Sequence, residues 1–348
     1  MEKEKEEKEV LETDEVSNTN EEVKQEVAPV EETPTEEAPV VNEEENASQN
    51  FNYEGSLQDV EKNRKEFLST YKGNSTLKII IAVVSLALII FCWVGIPNIL
   101  KVDNVMTYAI VAVVIILVLV VTFMFVSKRM MNKKMREYFR KFYVATNAYS
   151  FDQDGFDKHE LQTPDKLSLD DFVQCDMYKN IIEVGSRGLT SFEYKDIPLM
   201  VSDAAGNVKG TQRMLPVFVG KYIYGRSNYD NELPIIIYIK GSEKPLPPTN
   251  IDDKRIVEDN DKMVIYTNNE KWEKTVTPSF RKILKKIKLT KNLVDVAISI
   301  KQGQVFICLG YDDPLMVLPL DKPFNPHPYE EYKGHLKIAC ELIEELNK

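Results

Sequence analysis

The chain has 348 residues, 28% of them charged and 43% hydrophobic, with a mean hydropathy of −0.30, figures ordinary for a soluble protein. That average sums three unlike regions: the whole chain carries −11, residues 1–50 carry −14, and +3 remains for residues 51–348, so the acidic balance belongs to a tail and excludes neither cation nor nucleic-acid binding elsewhere. Four widely spaced cysteines (Cys92, Cys175, Cys308, Cys340) exclude a disulfide framework and a paired zinc pattern, and only three histidines leave little for metal or acid–base chemistry. Buried free thiols in a reducing compartment are the simpler expectation.

Residues 1–50 contain no aromatic residue and are dominated by Glu, interleaved with Val, Thr, Pro and Asn. Such a stretch buries too little apolar surface to offset its ordering entropy, so the reading is a disordered acidic tail, either a docking arm for a basic partner or a solvated spacer. It has neither a basic start nor an early apolar run, so no cleavable signal is expected.

Residues 51–78 read as a basic juxtamembrane helix or linker. Residues 79–100 then give 22 uncharged positions, and residues 105–127 give 23 more. A spanning helix needs about 20 apolar residues. A soluble core helix of this length would show a polar face, and neither run does. Gly95, Pro97, Lys101, Asp103 and Asn104 mark a short connector, with Trp93 and Tyr108 beside it at the interface. The expectation is a transmembrane helical hairpin over 79–127, in a multi-pass cell-membrane protein with both termini on one side.

Charge sets the orientation. Lys62, Arg64, Lys65, Lys72 and Lys78 precede the first span. Lys128, Arg129, Lys133, Lys134, Arg136, Arg140 and Lys141 follow the second, and the connector has only Lys101. The positive-inside bias therefore places both termini in the cytoplasm. Anionic lipid headgroups attract the same bases. Neither span holds an ionisable residue, which argues against an ion path or proton relay.

Residues 128–148 read as a basic helix continuing the second span, and residues 149–348 as a cytosolic domain. Ser168 and Asp171 start a helix through Tyr178. Strand-like runs follow at 190–203, 213–224, 234–240 and 262–267, with Pro216 and Pro234 at edges or strand starts. Pro245, Pro247 and Pro248 mark an exposed loop. Thr277 and Pro278 fit the cap and first turn of a helix to about Leu289. Residues 293–300 and 304–310 alternate around Gln302-Gly303 as a hairpin. A last helix runs from Tyr329 to Leu346. The fold class is α+β, a mainly antiparallel sheet with packed helices.

The pattern MetValIleTyrThrAsnAsn (263–269), ThrValThrPro (275–278) and ValAlaIleSerIleLysGlnGlyGlnValPheIleCysLeu (296–309) resembles the bacterial family known as domain of unknown function 3137. PheGluTyrLysAspIle (192–197) and LeuProValPheValGlyLysTyr (215–222) fit its first half, and two spans ahead of the domain also resemble it. The likeness covers about residues 130–346. It implies the architecture and carries over no activity and no site residue.

Candidate chemistry is thin. Asp152, Asp154, Gly155 and Asp157 suggest a calcium loop, but Leu161 falls where the bidentate Glu belongs, so an Asp-Gly turn is expected. His159, His327 and His335 lack metal-ligand spacing. Gly185-Ser186-Arg187-Gly188 lacks the phosphate-loop lysine and reads as a turn. Tyr222, Tyr224, Arg226 and Tyr229, with Lys221, interleave aromatics and bases, and core packing explains the tyrosines as well as base stacking does. On 278–289, Phe280, Ile283, Leu284 and Ile287 form one face and Arg281, Lys282, Lys285, Lys286 and Lys288 the other. Together with Lys128, Arg129, Lys133, Lys134 and Arg136, the bases Arg281, Lys282, Lys285 and Lys286 are the candidate membrane-surface or partner contacts.

No catalytic residue is assigned, and neither cofactor nor metal is expected. The resulting reading is a membrane-anchored interaction or scaffold module. Its expected partners are the bilayer, an unidentified protein and further copies of the chain, without nucleic acid. The alternatives are an accessory subunit of a membrane complex, or a membrane-bound enzyme acting on lipid or envelope precursors. In the enzyme reading, Asp252, Asp253, Asp312 and Asp313 act with a metal.

Overall fold

The computed structural model describes residues 52–95, 105–211, 213–241, 248–312, 320 and 322–348. The acidic tail, most of the span connector, and the segments holding Pro245, Pro247 and Asp313 lie outside the described residues.

Two long helices come first. Helix α1 spans Leu57–Ile90, and Phe91–Gly95 continues it as one π-type turn. Helix α2 spans Val105–Phe151 without a break. Both are long and apolar enough to cross a membrane. Side chains such as Val83, Leu86, Leu119, Val121 and Phe125 point outward, as lipid-facing residues do. The hairpin continues below the apolar runs. Asn74 Oδ1 accepts from Ser127 Oγ at 2.8 Å, and Phe67 stacks on Tyr138 at 4.8 Å.

A nine-stranded antiparallel sheet follows: β1 (Phe156–Leu161), β2 (Ile181–Tyr194), β3 (Ile197–Lys209), β4 (Met214–Arg226), β5 (Ile235–Ile239), β6 (Ile256–Asp259), β7 (Met263–Thr267), β8 (Leu293–Lys301) and β9 (Gln304–Tyr311). Their spatial order is β1-β2-β3-β4-β9-β8-β5-β7-β6. Helix α3 (Leu169–Val173) packs on β2. Helices α4 (Pro278–Leu284) and α5 (His327–Glu345) pack on one another. The fold is α+β.

Several expectations shift. The run 190–203 is two strands joined at Lys195-Asp196, both left-handed (φ 48° and 66°), as a two-residue hairpin turn requires. Gly185-Ser186-Arg187-Gly188 lies inside β2, at an irregularity of register, and is not a turn. Ser168 does cap a helix, accepting from the Asp171 amide, but that helix ends at Val173. Thr277 caps α4 by accepting from the Phe280 amide. This helix stops at Leu284, because Lys286 and Ile287 donate to Ile283 and Leu284 in tightened turns that swing Ile287 into the core. His327 opens α5, two residues ahead of the expected start at Tyr329. The Gln302-Gly303 hairpin and its two strands stand as expected.

The sheet has two faces and two cores. One carries Leu199, Val201, Ile223, Ile237, Val296, Ile298 and Ile307 beneath α2, α4, α5 and the start of α1. The other carries Phe218, Tyr222, Ile236, Ala297 and Phe306 beneath Phe172, Met177 and Tyr178. All four cysteines are buried free thiols.

Candidate functional site

The apolar half of α2 and its sheet-bound half belong to one helix, and the second half fixes the domain to the first. Four contacts climb α2 and β2 in step. The Arg187 guanidinium lies 4.3 Å over the Phe139 ring. At Gly188 the Tyr143 ring occupies the space of a side chain, 2.3 Å from where a Cβ would stand, and φ is +68° there, so only glycine fits. Asn147 Nδ2 donates to Thr190 Oγ1 at 2.8 Å, and Phe151 meets Phe192 at 4.8 Å. Helix and strand therefore run side by side in the same direction.

A buried charge pair lies at the centre of this seam. Asp203 of β3 and Lys221 of β4 are directly opposed, with Nζ 2.6 Å from Oδ1 in an ion pair that lacks hydrogen-bond alignment. Their side chains are 1% and 7% exposed, so the pair is desolvated. Tyr143 donates to Asp203 Oδ2 at 2.9 Å, and Lys221 Nζ lies 4.7 Å from the centre of the Tyr332 ring of α5. Burial and the neighbouring Asp203 carboxylate push the Tyr143 hydroxyl up, so it stays a donor. One charge pair thus ties two strands to two helices.

The start of α1 is fixed similarly. Arg64 makes a two-pronged contact with Glu61, each bond 2.8 Å, and donates to the Leu320 carbonyl at 2.7 Å, while Glu61 accepts from the Phe324 amide at 3.0 Å. Between α1 and α2 lies an open groove lined by Asp59, Lys62, Glu137, Arg140, Lys141 and Val144.

The nine predicted contact residues fall into two groups. Lys128, Arg129, Lys133, Lys134 and Arg136 lie exposed on α2 within about 14 Å of Ser127, where the apolar run ends. The bases of α4 are elsewhere. Lys286 pairs with Glu341 at 2.6 Å, and Lys195, on the turn between β2 and β3, pairs with Glu344 at 2.7 Å. That turn is eight strand residues beyond Arg187, itself level with Phe139, so α4 stands about 40 Å from the end of the span. Arg281 is engaged by Glu258 at 2.7 Å and lies 5.4 Å from the Trp272 ring. Lys282 and Lys285 are exposed, with no ion pair among the described residues. The nine candidate contacts therefore do not form one surface: five stand beside the end of the apolar run and four stand far along the domain from it.

The other candidates have structural work. Asp252 pairs with Lys179, and Asp253 with Lys254 at 3.0 Å, all on the surface except the Lys254 stem. His159 stacks on Phe151 at 5.0 Å, and His335 Nδ1 meets the Tyr311 hydroxyl at 3.1 Å. Burial pushes both imidazoles down, toward neutrality. Tyr222 faces the second core, its hydroxyl donating to the Asp171 carbonyl at 3.1 Å. Gly155 turns the chain, its carbonyl accepting from the Lys195 amide. Among the described residues no group of three or more His, Cys, Asp and Glu stands together to hold a metal.

Sequence reasoning missed Asp203, Tyr143 and Asp295. Asp295 lies on the second face, 6% exposed, over Gly310, where a Cβ would stand 1.7 Å from Oδ1. Burial pushes its carboxyl up to about 7, against an opposing hydrogen bond from the Gly310 amide. Its Oδ1, the Tyr238 hydroxyl and the Ser299 hydroxyl make no hydrogen bond. Tyr238 is paired with Ala297, so Asp295 and Ser299 are its two diagonal neighbours, about 7 Å away. The available signal was an acid at an inward position of an apolar strand, in ValSerAspAlaAla and in LeuValAspValAla.

No family model and no curated protein matches the chain. Among solved structures, the crystal structure of the mycobacterial trehalose monomycolate transport factor A, TtfA, is similar at 10% identity and a TM-score of 0.31, over 60% of this chain and 93% of that one. A likeness at that TM-score carries no argument about function.

Proposed function

We propose that the chain is a membrane-anchored interaction module whose α+β domain is held in the cytosol by a two-helix hairpin. The observation that carries this reading is the continuity of α2. One helix of 47 residues supplies an apolar run at one end, and Phe142, Tyr143 and Phe151 in the domain core at the other. A flexible tether would leave the domain free to turn, whereas this connection fixes which surfaces face the bilayer and which face away.

Twelve bases on the two flanks, against one in the connector, support a cytoplasmic domain. The five exposed bases from Lys128 to Arg136 suit anionic headgroups, at about 1 kcal/mol each. Lys282 and Lys285, at the far end, suit an acidic protein surface. The family resemblance through residues 263–309 accords with a two-span module and gives it no chemistry.

Protease treatment of intact bacterial protoplasts and of inverted vesicles tests the reading. The domain should be protected in protoplasts and cleaved in inverted vesicles. Cleavage in intact protoplasts would place it outside the cell and end the cytosolic reading.

A further inference from the structure

Strands β2, β3 and β4 are longer than the sheet they belong to. Among the described residues β9 pairs with β4 over Gly220–Arg226, and Met214–Val219 runs on beyond that pairing. The matching lengths are Ile181–Gly185 of β2 and Ala205–Lys209 of β3. These three segments form a blade that projects past the end of β9. Its tip bears Ile182, Met214 and Leu215, all exposed large apolar side chains, with Lys209 and Arg213 exposed beside them.

Extended back along the line of α2, the blade runs toward the end of the apolar span. Arg187 is level with Phe139, and the contacts at 143, 147 and 151 show β2 and α2 advancing together. Running back from Arg187 to Ile181 covers six strand residues, about 20 Å. The same length of α2 is about 13 residues, which leads from Phe139 to about Val126. The apolar run ends at Ser127, and Lys128 is the first charge after it. The turn between β3 and β4 lies at the same end of the blade, since Ile181 pairs with Val208 and Lys209 with Met214.

We propose that the tip of this blade, Ile182 with Met214 and Leu215, is a second membrane contact that enters the headgroup layer of the leaflet from which α2 emerges. The inference rests on the anchored reading above and adds a site to it. Apolar side chains flanked by bases are what an interfacial element needs: the first enter the acyl boundary and the second meet anionic headgroups. Because Tyr143, Asp203 and Lys221 fix the sheet to α2, the tip has no freedom to leave that level. The domain is then held at two points, which sets its rotation about the hairpin axis.

Single cysteines at Leu215 and Met214, each carrying an environment-sensitive fluorophore, test this in the full chain, since the four native thiols are buried. The chain is reconstituted into vesicles of phosphatidylcholine and phosphatidylglycerol carrying a headgroup-region lipid quencher, with iodide as the aqueous quencher. Val121→Cys marks the span, and Asp196→Cys marks the opposite turn of the β2–β3 hairpin. The Leu215→Cys and Met214→Cys labels should be quenched by lipid several-fold more than by iodide, with blue-shifted emission, and the Asp196→Cys label should behave the opposite way. Labels at both tip positions that respond like Asp196→Cys, while Val121→Cys remains lipid-quenched, would overturn the blade contact and leave the anchor standing. Iodide quenching at Val121→Cys as well would overturn both.

Discussion

The two faces of the sheet treat a buried carboxylate in opposite ways. On the face under α2 and α5, Asp203 is met by Lys221 at 2.6 Å and by the Tyr143 hydroxyl at 2.9 Å. On the face under α3, Asp295 has an oxygen without a partner, and the neighbouring Tyr238 and Ser299 hydroxyls are also unmatched. The first acid has partners that replace the water it lost. The second is pushed toward the neutral acid, because burial outweighs the one hydrogen bond it accepts, from the Gly310 amide. The difference follows the mechanical demand. The first face must hold a sheet against a membrane helix, and a paired, hydrogen-bonded charge fixes one geometry. The second face bears a short helix and loops, and tolerates unmet polar groups.

Removing one partner on the first face should produce the largest effect. Asp203→Ala leaves the Lys221 ammonium buried and uncompensated, which costs about 3–5 kcal/mol. Guanidinium unfolding of the full chain in detergent micelles, followed by the fluorescence of buried Trp272, measures it. Asp203→Ala with Lys221→Met should recover much of the loss, because an apolar pair of similar size carries no stranded charge. A single variant as stable as the wild type would show that the seam does not depend on this pair.

On the second face the sign reverses. The folded carboxyl of Asp295 titrates at about 7 and its ordinary value is 3.8. Between those values the folded chain keeps a proton that the unfolded chain has released, so stability falls as pH rises from 4 to 7 and is level above. Asp295→Asn should therefore stabilise the chain at pH 8, by as much as ~4 kcal/mol, and leave it nearly unchanged at pH 4. Equal midpoints for the two proteins at pH 8 would count against an unpaired acid. Gly310→Ala makes the same point sterically. Its Cβ displaces the Asp295 carboxylate from its seat, at about 1–3 kcal/mol, and should flatten the pH dependence with it.

Much of this contrast could not be read along the chain. The spans, the Gln302-Gly303 hairpin and the Thr277 and Ser168 caps are local signals, set by neighbours within a few residues. Asp203, Lys221 and Tyr143 are meaningful only once two strands and a helix meet, and Tyr143 is 60 residues from Asp203. Gly185-Ser186-Arg187-Gly188 has the composition of a turn, yet the Tyr143 ring needs the glycine at 188, and that demand comes from the helix. The α4 bases showed the right periodicity, but their distance from the bilayer depends on where α5 ends. Lys195-Asp196 carries neither Gly nor Asn, so the turn that splits 190–203 into two strands left no compositional mark.

The smallest effect separates the closure of the first face from its charge. Thr277 accepts from the Phe280 amide at 3.1 Å and holds the first turn of α4, which buries Phe280 and Leu284 in the core beneath α5. Thr277→Ala removes that acceptor and should cost about 1 kcal/mol. The Thr277 hydroxyl also helps hold the Glu345 carboxyl below its ordinary value, so that group is ionised at pH 5 and at pH 8 alike and the loss should be the same at both, unlike the change at Asp295. It should also add to the cost of Asp203→Ala without interaction, since the cap and the charge pair share no partner. A double variant that loses clearly more or less than the sum would mean that α4 and the α2 seam open together. The first face would then be one cooperative lid over the sheet, and the charge pair would be stabilising the packing of α4 and α5 as well as the anchor.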